Sequence, residues 1–137
     1  MKMKEISIPI QNSRSVVYEV VHALEEKNID IQAINIVDTG NCGQLRLLSS
    51  DVMNIRRILM QHHIPARVEN VAAVELNEDA GSLAEIMKAL MQADIQVKYA
   101  YRCNAHDRHT DLMVLACSDA DKAIQVLHGS KRQHRAA

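Results

Sequence analysis

The chain of 137 residues has no tryptophan and no phenylalanine, and three tyrosines are its whole aromatic complement. Its core must therefore be aliphatic, made from Val, Ile, Leu, Ala and Met. Three cysteines, Cys42, Cys103 and Cys117, form an odd set with no CxxC spacing. That pattern favours reduced thiols in a cytoplasmic protein over a disulfide scaffold. No apolar run approaches the roughly 18 residues of a membrane span, and Met1–Ile10 lacks a signal-peptide core. The expectation is a soluble, intracellular protein with no membrane partner. A net charge of −1 offers no general attraction to nucleic acid or to an acidic membrane surface. Phosphate loops, nucleophile motifs and paired catalytic carboxylates are all missing. Glu78 and Asp79 are adjacent loop residues, not facing acids. No catalytic residue and no cofactor is expected, and the chain reads as not an enzyme.

What the sequence does contain is a repeat. Glu19, Ala23, Leu24 and Ile29 recur as Glu85, Ala89, Leu90 and Ile95, each displaced by 66 (85 − 19 = 66). At the same offset Ile6, Ile8 and Ile10 meet Ala72, Val74 and Leu76. Ser50-Asp51 matches Ser118-Asp119 at an offset of 68 (118 − 50 = 68), so two extra residues lie between strands of the second copy. The same apolar order kept through a strand, a turn and a helix marks a duplication. The halves fall at 1–69 and 70–137. Units of about 60 residues are marginal alone, so the two would pack on each other or on a second chain.

Each copy reads strand, helix, strand, strand, helix. Ile6, Ile8 and Ile10 alternate with Ser7 and Pro9, the period of a half-buried strand. Pro9 cannot donate to a ladder, so this strand lies near an edge or turns that nitrogen away from its neighbour. Val17, Val20, Val21 and Leu24 follow helical spacing, as do Leu83, Ile86, Met87 and Leu90. Ile31–Val37 and Gln44–Leu48 flank Asp38–Gly43, whose glycines suit a hairpin. Val52, Ile55, Ile58 and Leu59 give a second helix that ends before Pro65. Ala66–Val74 is extended, closing copy one and opening copy two. Helices alternating with strands, all apolar stripes turned one way, make an α+β sandwich: antiparallel sheets with helices on one face.

The Gly81-Ser-Leu83 turn into a helix and the "NIDI" segment before the second strand resemble the ACT domain. "NIVDTGNCGQLRLLSSD" (Asn35–Asp51) and "AEIMKALMQADIQVKYAY" (Ala84–Tyr101) are similar to small proteins made only of two tandem ACT domains. The likeness spans nearly the whole chain, and Asp38-Thr39 with Gly43-x-Leu45-Arg46-Leu47 is its most specific part. The resemblance implies two tandem ferredoxin-like βαββαβ units, side-by-side sheet pairing, and allosteric regulation by small ligands, usually amino acids. It also implies binding sites between units near the loop joining strand one to helix one, and no catalysis. The sequence departs from the pattern in two ways. The usual Pro-Gly at the head of helix one is Ala80-Gly81 in copy two and Arg14-Ser15 in copy one. A last strand for copy two is hard to find before "HGSKRQHRAA", so either it is missing or another segment fills its place.

Asp79 and Ser13, aligned by the repeat, are both good N-cap residues. Past a cap, first-turn N–H groups lack helical partners and the dipole is positive, a setting that can hold a carboxylate. Gly81 removes the side chain that would block approach. The competing reading is a capped, water-satisfied helix end, and Ser82-x-x-Glu85 is itself a capping box. Glu78 and Asp79 would attract a ligand ammonium, and Arg14 would pair a carboxylate. The candidate ligand-binding set is Asn12, Ser13, Arg14 and Ser15 from one loop with Glu78, Asp79, Ala80, Gly81, Ser82 and Leu83 from the other. Asp38, Thr39 and Arg46 are candidates for further polar contacts, with Arg46 equally readable as a solvated strand residue.

Cys103, His106 and His109 form a third constellation, within reach of Zn, Ni or Cu chemistry. Their C-x-x-H-x-x-H spacing in one hairpin fits no standard closed metal site, and a polar loop is the simpler reading. His62-His63 at a helix end fits capping. Lys131–Arg135 reads as a solvated basic tail, and Met87 with Met91 as core or interface filler. The function expected is a regulatory sensor of an amino acid or related metabolite, acting as a homodimer. The alternatives are a ligand-free module that docks on a metabolic enzyme and, third, a metal sensor.

Overall fold

The repeat offset reappears in backbone geometry before it does in any larger feature. The computed structural model describes residues 1–10, 14–76, 83–105 and 110–136. Asn28 and Asp94, 66 residues apart (94 − 28 = 66), both adopt left-handed φ angles, 55° and 58°. Each follows the end of a helix, and each lets the next residue close that helix: Ile29 N–H reaches Leu24 O at 3.0 Å, and Ile95 N–H reaches Leu90 O at 2.9 Å. Asn and Asp tolerate this region because their short polar side chains bond locally.

The elements are β1 (Lys2–Pro9), α1 (Arg14–Glu26), β2 (Ala33–Asp38), β3 (Gly43–Leu48), α2 (Val52–Gln61), β4 (Arg67–Leu76), α3 (Leu83–Gln92), β5 (Val97–Ala105), β6 (Thr110–Cys117) and α4 (Ala120–Ala136). They divide into two compact units, Lys4–Glu69 and Met1–Met3 with Asn70–Ala137.

In the Lys4–Glu69 unit the strand order is β2-β3-β1, with β4 beside β1. The pairing is antiparallel: Ile6 faces Leu47, Ile8 faces Leu45, and Ile34 and Ile36 face Leu47 and Leu45 from the other side. The alternation sends Ile6, Ile8, Leu45 and Leu47 into one core, where α1 adds Val20, Ala23 and Leu24 and α2 adds Ile55, Ile58 and Leu59. Strand period two and helix period 3.6 thus meet on one apolar layer. Burying one such Leu or Ile contributes about 1.5–3 kcal/mol. Pro9 ends β1 rather than lying on an edge strand. Ile10 N–H, not Pro9, donates to Gly43 O at 3.1 Å, so the missing proline donor falls on the side away from β3.

In the second unit the order is β4-β6-β5. Ala100 faces Leu115 as Ile34 faces Leu47, at offsets of 66 and 68 (100 − 34 and 115 − 47). The two-residue excess therefore falls between those rungs. The hairpin runs on to the Ala105–Thr110 rung, and β5 carries an irregularity between Val97 and Tyr99. Ala72, Ile86, Leu90, Met113, Leu115, Ala123 and Leu127 form the core. Met1 lies along β4: its nitrogen donates to Ala73 O and Ala73 N–H donates back to Met1 O, both at 2.8 Å. That exchange is the hydrogen-bonded pair of an antiparallel ladder. Lys2 adds an exposed ion pair to Asp121 in the first turn of α4, 3.2 Å long.

One expectation changes in detail, and the expected capping at His62-His63 takes a specific form, with His62 as the C-cap of α2. The Lys131–Arg135 run is carried by the backbone of α4, which continues to Ala136, and is not a tail beyond it. His63 takes a left-handed φ of 57° past the end of α2, so the backbone turn stops this helix; His62 and His63 N–H groups bond Ile58, Leu59 and Met60 carbonyls. Among the described residues no helix is long and apolar enough to cross a membrane.

Candidate ligand-binding rim

The site residues divide by where the strands end. Ile10 N–H bonds Gly43 O, and Gly43 is the register partner of Asp38. The exit of β1 towards α1 and the β2–β3 turn therefore lie at one end of the same three strands. Arg14 and Ser15, the first two residues of α1, are exposed. Asn12 and Ser13, and likewise Glu78, Asp79, Ala80, Gly81 and Ser82, lie outside the described residues. So does the choice between Asp79 and Ser82 as the cap of α3. Leu83 opens α3 and is exposed, with Glu85 in the same first turn, where an acid complements the positive helix end.

Asp38 and Thr39 build the β2–β3 turn. The Asp38 carboxylate accepts the Gly40 N–H at 2.9 Å, an Asx-type contact, while Thr39 donates to Cys42 O from both its backbone N–H (2.8 Å) and its hydroxyl (3.1 Å). Gly40 has φ of 86°, and a side chain there would meet open space, so its role is conformational. Among the described residues these bonds engage one Asp38 oxygen, and the turn is exposed. Arg46 is separated from this rim by the strand pleat. It alternates with Leu45 and Leu47, which enter the core, so it stands on the opposite face of β3, and its guanidinium reaches Asn35 Oδ1 at 3.4 Å. Arg14 and Ser15 thus share one end of the unit with Asp38 and Thr39, whereas Arg46 projects from the far face of the sheet.

Electrostatics sharpen the contrast between the first turns. α1 has no acidic residue in its first turn and carries Arg14 there. A cation beside the positive end of a helix is mildly destabilising, of the order of 0.3–1 kcal/mol. A bound carboxylate would offset that cost.

At the corresponding end of the second unit, Leu76 faces Asp111 and Asp111 pairs with Arg102 at 2.5 Å. Arg102 was not singled out in the sequence, because its counterpart in the repeat is Ile36 and nothing in the periodicity marks it. Burial, and then the nearby Asp111 carboxylate, push the Cys103 thiol above the ordinary cysteine range. A raised thiol pKa disfavours the thiolate that metals bind. His106, Asp107 and His109 lie outside the described residues, among which no group of three His, Cys, Asp or Glu side chains is placed to hold a metal.

An aliphatic core, two βαββ repeats and helices on one face of antiparallel strands define the ferredoxin-like α+β fold class. The chain belongs to the ACT domain pair family, whose model matches residues 1–136. No curated protein matches it. Among solved structures it is similar to protein BT0572 from Bacteroides thetaiotaomicron, at 26% identity and a TM-score of 0.81, covering 96% of this chain and 90% of that one. It is also similar to the ligand-free regulatory subunit of aspartate kinase from Thermus thermophilus, at 14% identity and TM-score 0.60, covering 93% and 92%. E. coli aspartokinase III in complex with lysine and aspartate aligns at 19% identity and TM-score 0.51, over 93% of this chain and 31% of that one. The last two establish a shared fold. ACT pairs are typical of amino-acid-sensing regulatory domains.

Proposed function

We propose that the protein is a non-catalytic sensor whose two ACT domains, 1–69 and 70–137, bind an amino acid or a related small metabolite and transmit its presence to a partner. The observation that carries the reading is the Ile10–Gly43 bond, which holds the exit of β1 beside the β2–β3 turn. On that rim the α1 first turn and Arg14 would take the ligand carboxylate, with Ser13 and Ser15 as hydroxyl donors. Asp38 would take the ammonium group. Asn12, Thr39 and, in the second copy, Glu78 to Leu83 complete the candidate set. Arg46, held by Asn35 on the other face of its strand, is better read as a structural residue.

Ligand binding would act by population shift, limited by the difference in affinity between the two states. The second component of the proposal is a homodimer through β2. This edge strand exposes Ile34 (49%), Ile36 (50%) and Val37 (44%), and no lysine, proline or bulge guards it against pairing. The same edge supports the rival reading of a ligand-free module that docks on a metabolic enzyme such as an amino-acid kinase.

A thermal-shift screen against the twenty amino acids separates the two. A true ligand at a hundredfold excess over its Kd stabilises by about 2.7 kcal/mol. Arg14→Ala should abolish the shift without lowering the ligand-free melting temperature by more than a degree or so. No shift with any amino acid would favour the docking module.

A further inference from the structure

The outer faces of α1 and α2 are not ordinary solvated surfaces. On α2, Met53 and Met60 are 76% and 70% exposed, and Arg56 and Arg57 lie between them at helical spacing (i, i+3, i+4, i+7), so all four share one stripe. They line a shallow groove of about 440 Å³ whose walls are mostly apolar. The stripe carries two positive charges and no acid. Asn54 accepts from Arg57, which steadies one of them.

α1, the other helix of the same layer, presents the opposite character. Tyr18 is 68% exposed and stacks on His22, with ring centroids 5.3 Å apart and planes 9° from parallel. Glu25 continues that stripe (i, i+4, i+7), and Glu19 and Glu26 flank it on the exposed side. His22 is in turn 3.0 Å from Glu26. One helix therefore offers two arginines between methionines, and its neighbour offers a tyrosine followed by glutamates.

We infer that this helix layer is a self-complementary docking surface for a second copy of the chain, with α1 of each copy laid on α2 of the other. A two-fold axis running between the helices makes both contacts at once, as an isologous interface requires. Tyr18 then enters the groove between Met53 and Met60, where thioether and ring attract, and the glutamates face Arg56 and Arg57. Helices of 13 and 10 residues are roughly 20 and 15 Å long. Laid side by side they offer a face at the low end of specific interfaces. The association is accordingly weak, concentration-dependent and salt-sensitive. It is a different surface from the β2 edge and holds whether or not that edge pairs.

The test is sedimentation velocity of the full chain over a range of concentrations at low and at about 0.5 M salt. Wild type associates at low salt. Arg56→Glu/Arg57→Glu, and separately Glu19→Arg/Glu25→Arg, each raise the dissociation constant about tenfold or more, and mixing the two reversed chains restores it. Arg56→Glu alone, which spares the Arg57–Asn54 bond, shifts it in the same direction. Circular dichroism confirms that these exposed substitutions leave the fold intact. A dissociation constant that charge reversal leaves unchanged in the Ile34→Lys/Ile36→Lys background, where the β2 edge is blocked, or a chain that stays monomeric throughout in that background, overturns the inference. Failure of the β2 edge shows differently: Ile34→Lys/Ile36→Lys then leaves the mass unchanged while the arginine variants still lower it.

Discussion

Met1 and Ala73 exchange two backbone hydrogen bonds across 72 residues of sequence. Ala73 is buried, and its N–H is directed at Met1 rather than at β6, the strand on its other side. A proline at that position would delete one donor and strand the Met1 carbonyl. Ala73→Pro should lower unfolding free energy by at least roughly 1–3 kcal/mol, read as a lower urea midpoint. A midpoint equal to that of wild type would show that this pair contributes nothing.

Leu24 and Leu90 occupy equivalent places, 66 residues apart, in two separate cores, and both are essentially fully buried. Truncating either leaves a cavity that its neighbours fill only in part. Leu24→Ala and Leu90→Ala should each cost about 2–5 kcal/mol. Chemical denaturation checks both. If one of the two proved neutral, the repeat would not be energetically symmetric.

The left-handed turns at Asn28 and Asp94 make opposite predictions for small and branched replacements. Asp94→Gly relieves a backbone conformation that glycine adopts freely, and should be neutral or stabilising by up to about 1 kcal/mol. Asn28→Val forces a β-branched residue into the same region and should cost more than 1 kcal/mol, of the order of 1–2. Differential scanning calorimetry of the pair reads both signs.

Cys103 and Cys117 are partly buried, and burial pushes both thiols above the ordinary range, with Asp111 adding to the effect at Cys103. At pH 8 each therefore holds less thiolate than an unperturbed cysteine. Iodoacetamide followed by peptide mass mapping should label the exposed Cys42 first and the other two more slowly, with their rates still climbing at a pH where a free thiol has levelled off. Asp111→Asn should bring the Cys103 profile down in pH and leave that of Cys117 unchanged. The linkage has a definite sign. A thiol whose folded pKa is raised contributes stability below the unfolded pKa and loses it as pH rises through the folded value, so alkaline pH destabilises the fold.

Much of the fold was legible in the sequence because it rests on local periodicity. The alternation of Ile6, Ile8 and Ile10 and the spacing of Val20 and Leu24 fix which face is buried, and the core follows. Strand limits moved by a residue or two at most: Ile31–Val37 became Ala33–Asp38, and Ala66–Val74 became Arg67–Leu76. The partner of a strand is another matter. Alternation says that Lys2–Pro9 is extended, but nothing local to Met1 announces Ala73, because pairing across 72 residues depends on where the whole chain has gone. The rim was legible in the same limited sense. Asp38 and Thr39 announced a turn, and the Ile10–Gly43 bond added that this turn adjoins the exit of β1. Arg46 could not be placed without register, since only its pairing with Asn35 and its alternation with Leu45 and Leu47 decide its face.

Because Met1–Met3 belong with residues 70–137 and not with the segment that follows them, no single cut divides the gene into two self-sufficient pieces. A fragment beginning at Asn70 would leave the Ala73 side of β4 bare, an open template for aggregation. Dissection of this protein should instead graft the first three residues onto the second half, or circularly permute the chain so that both travel together.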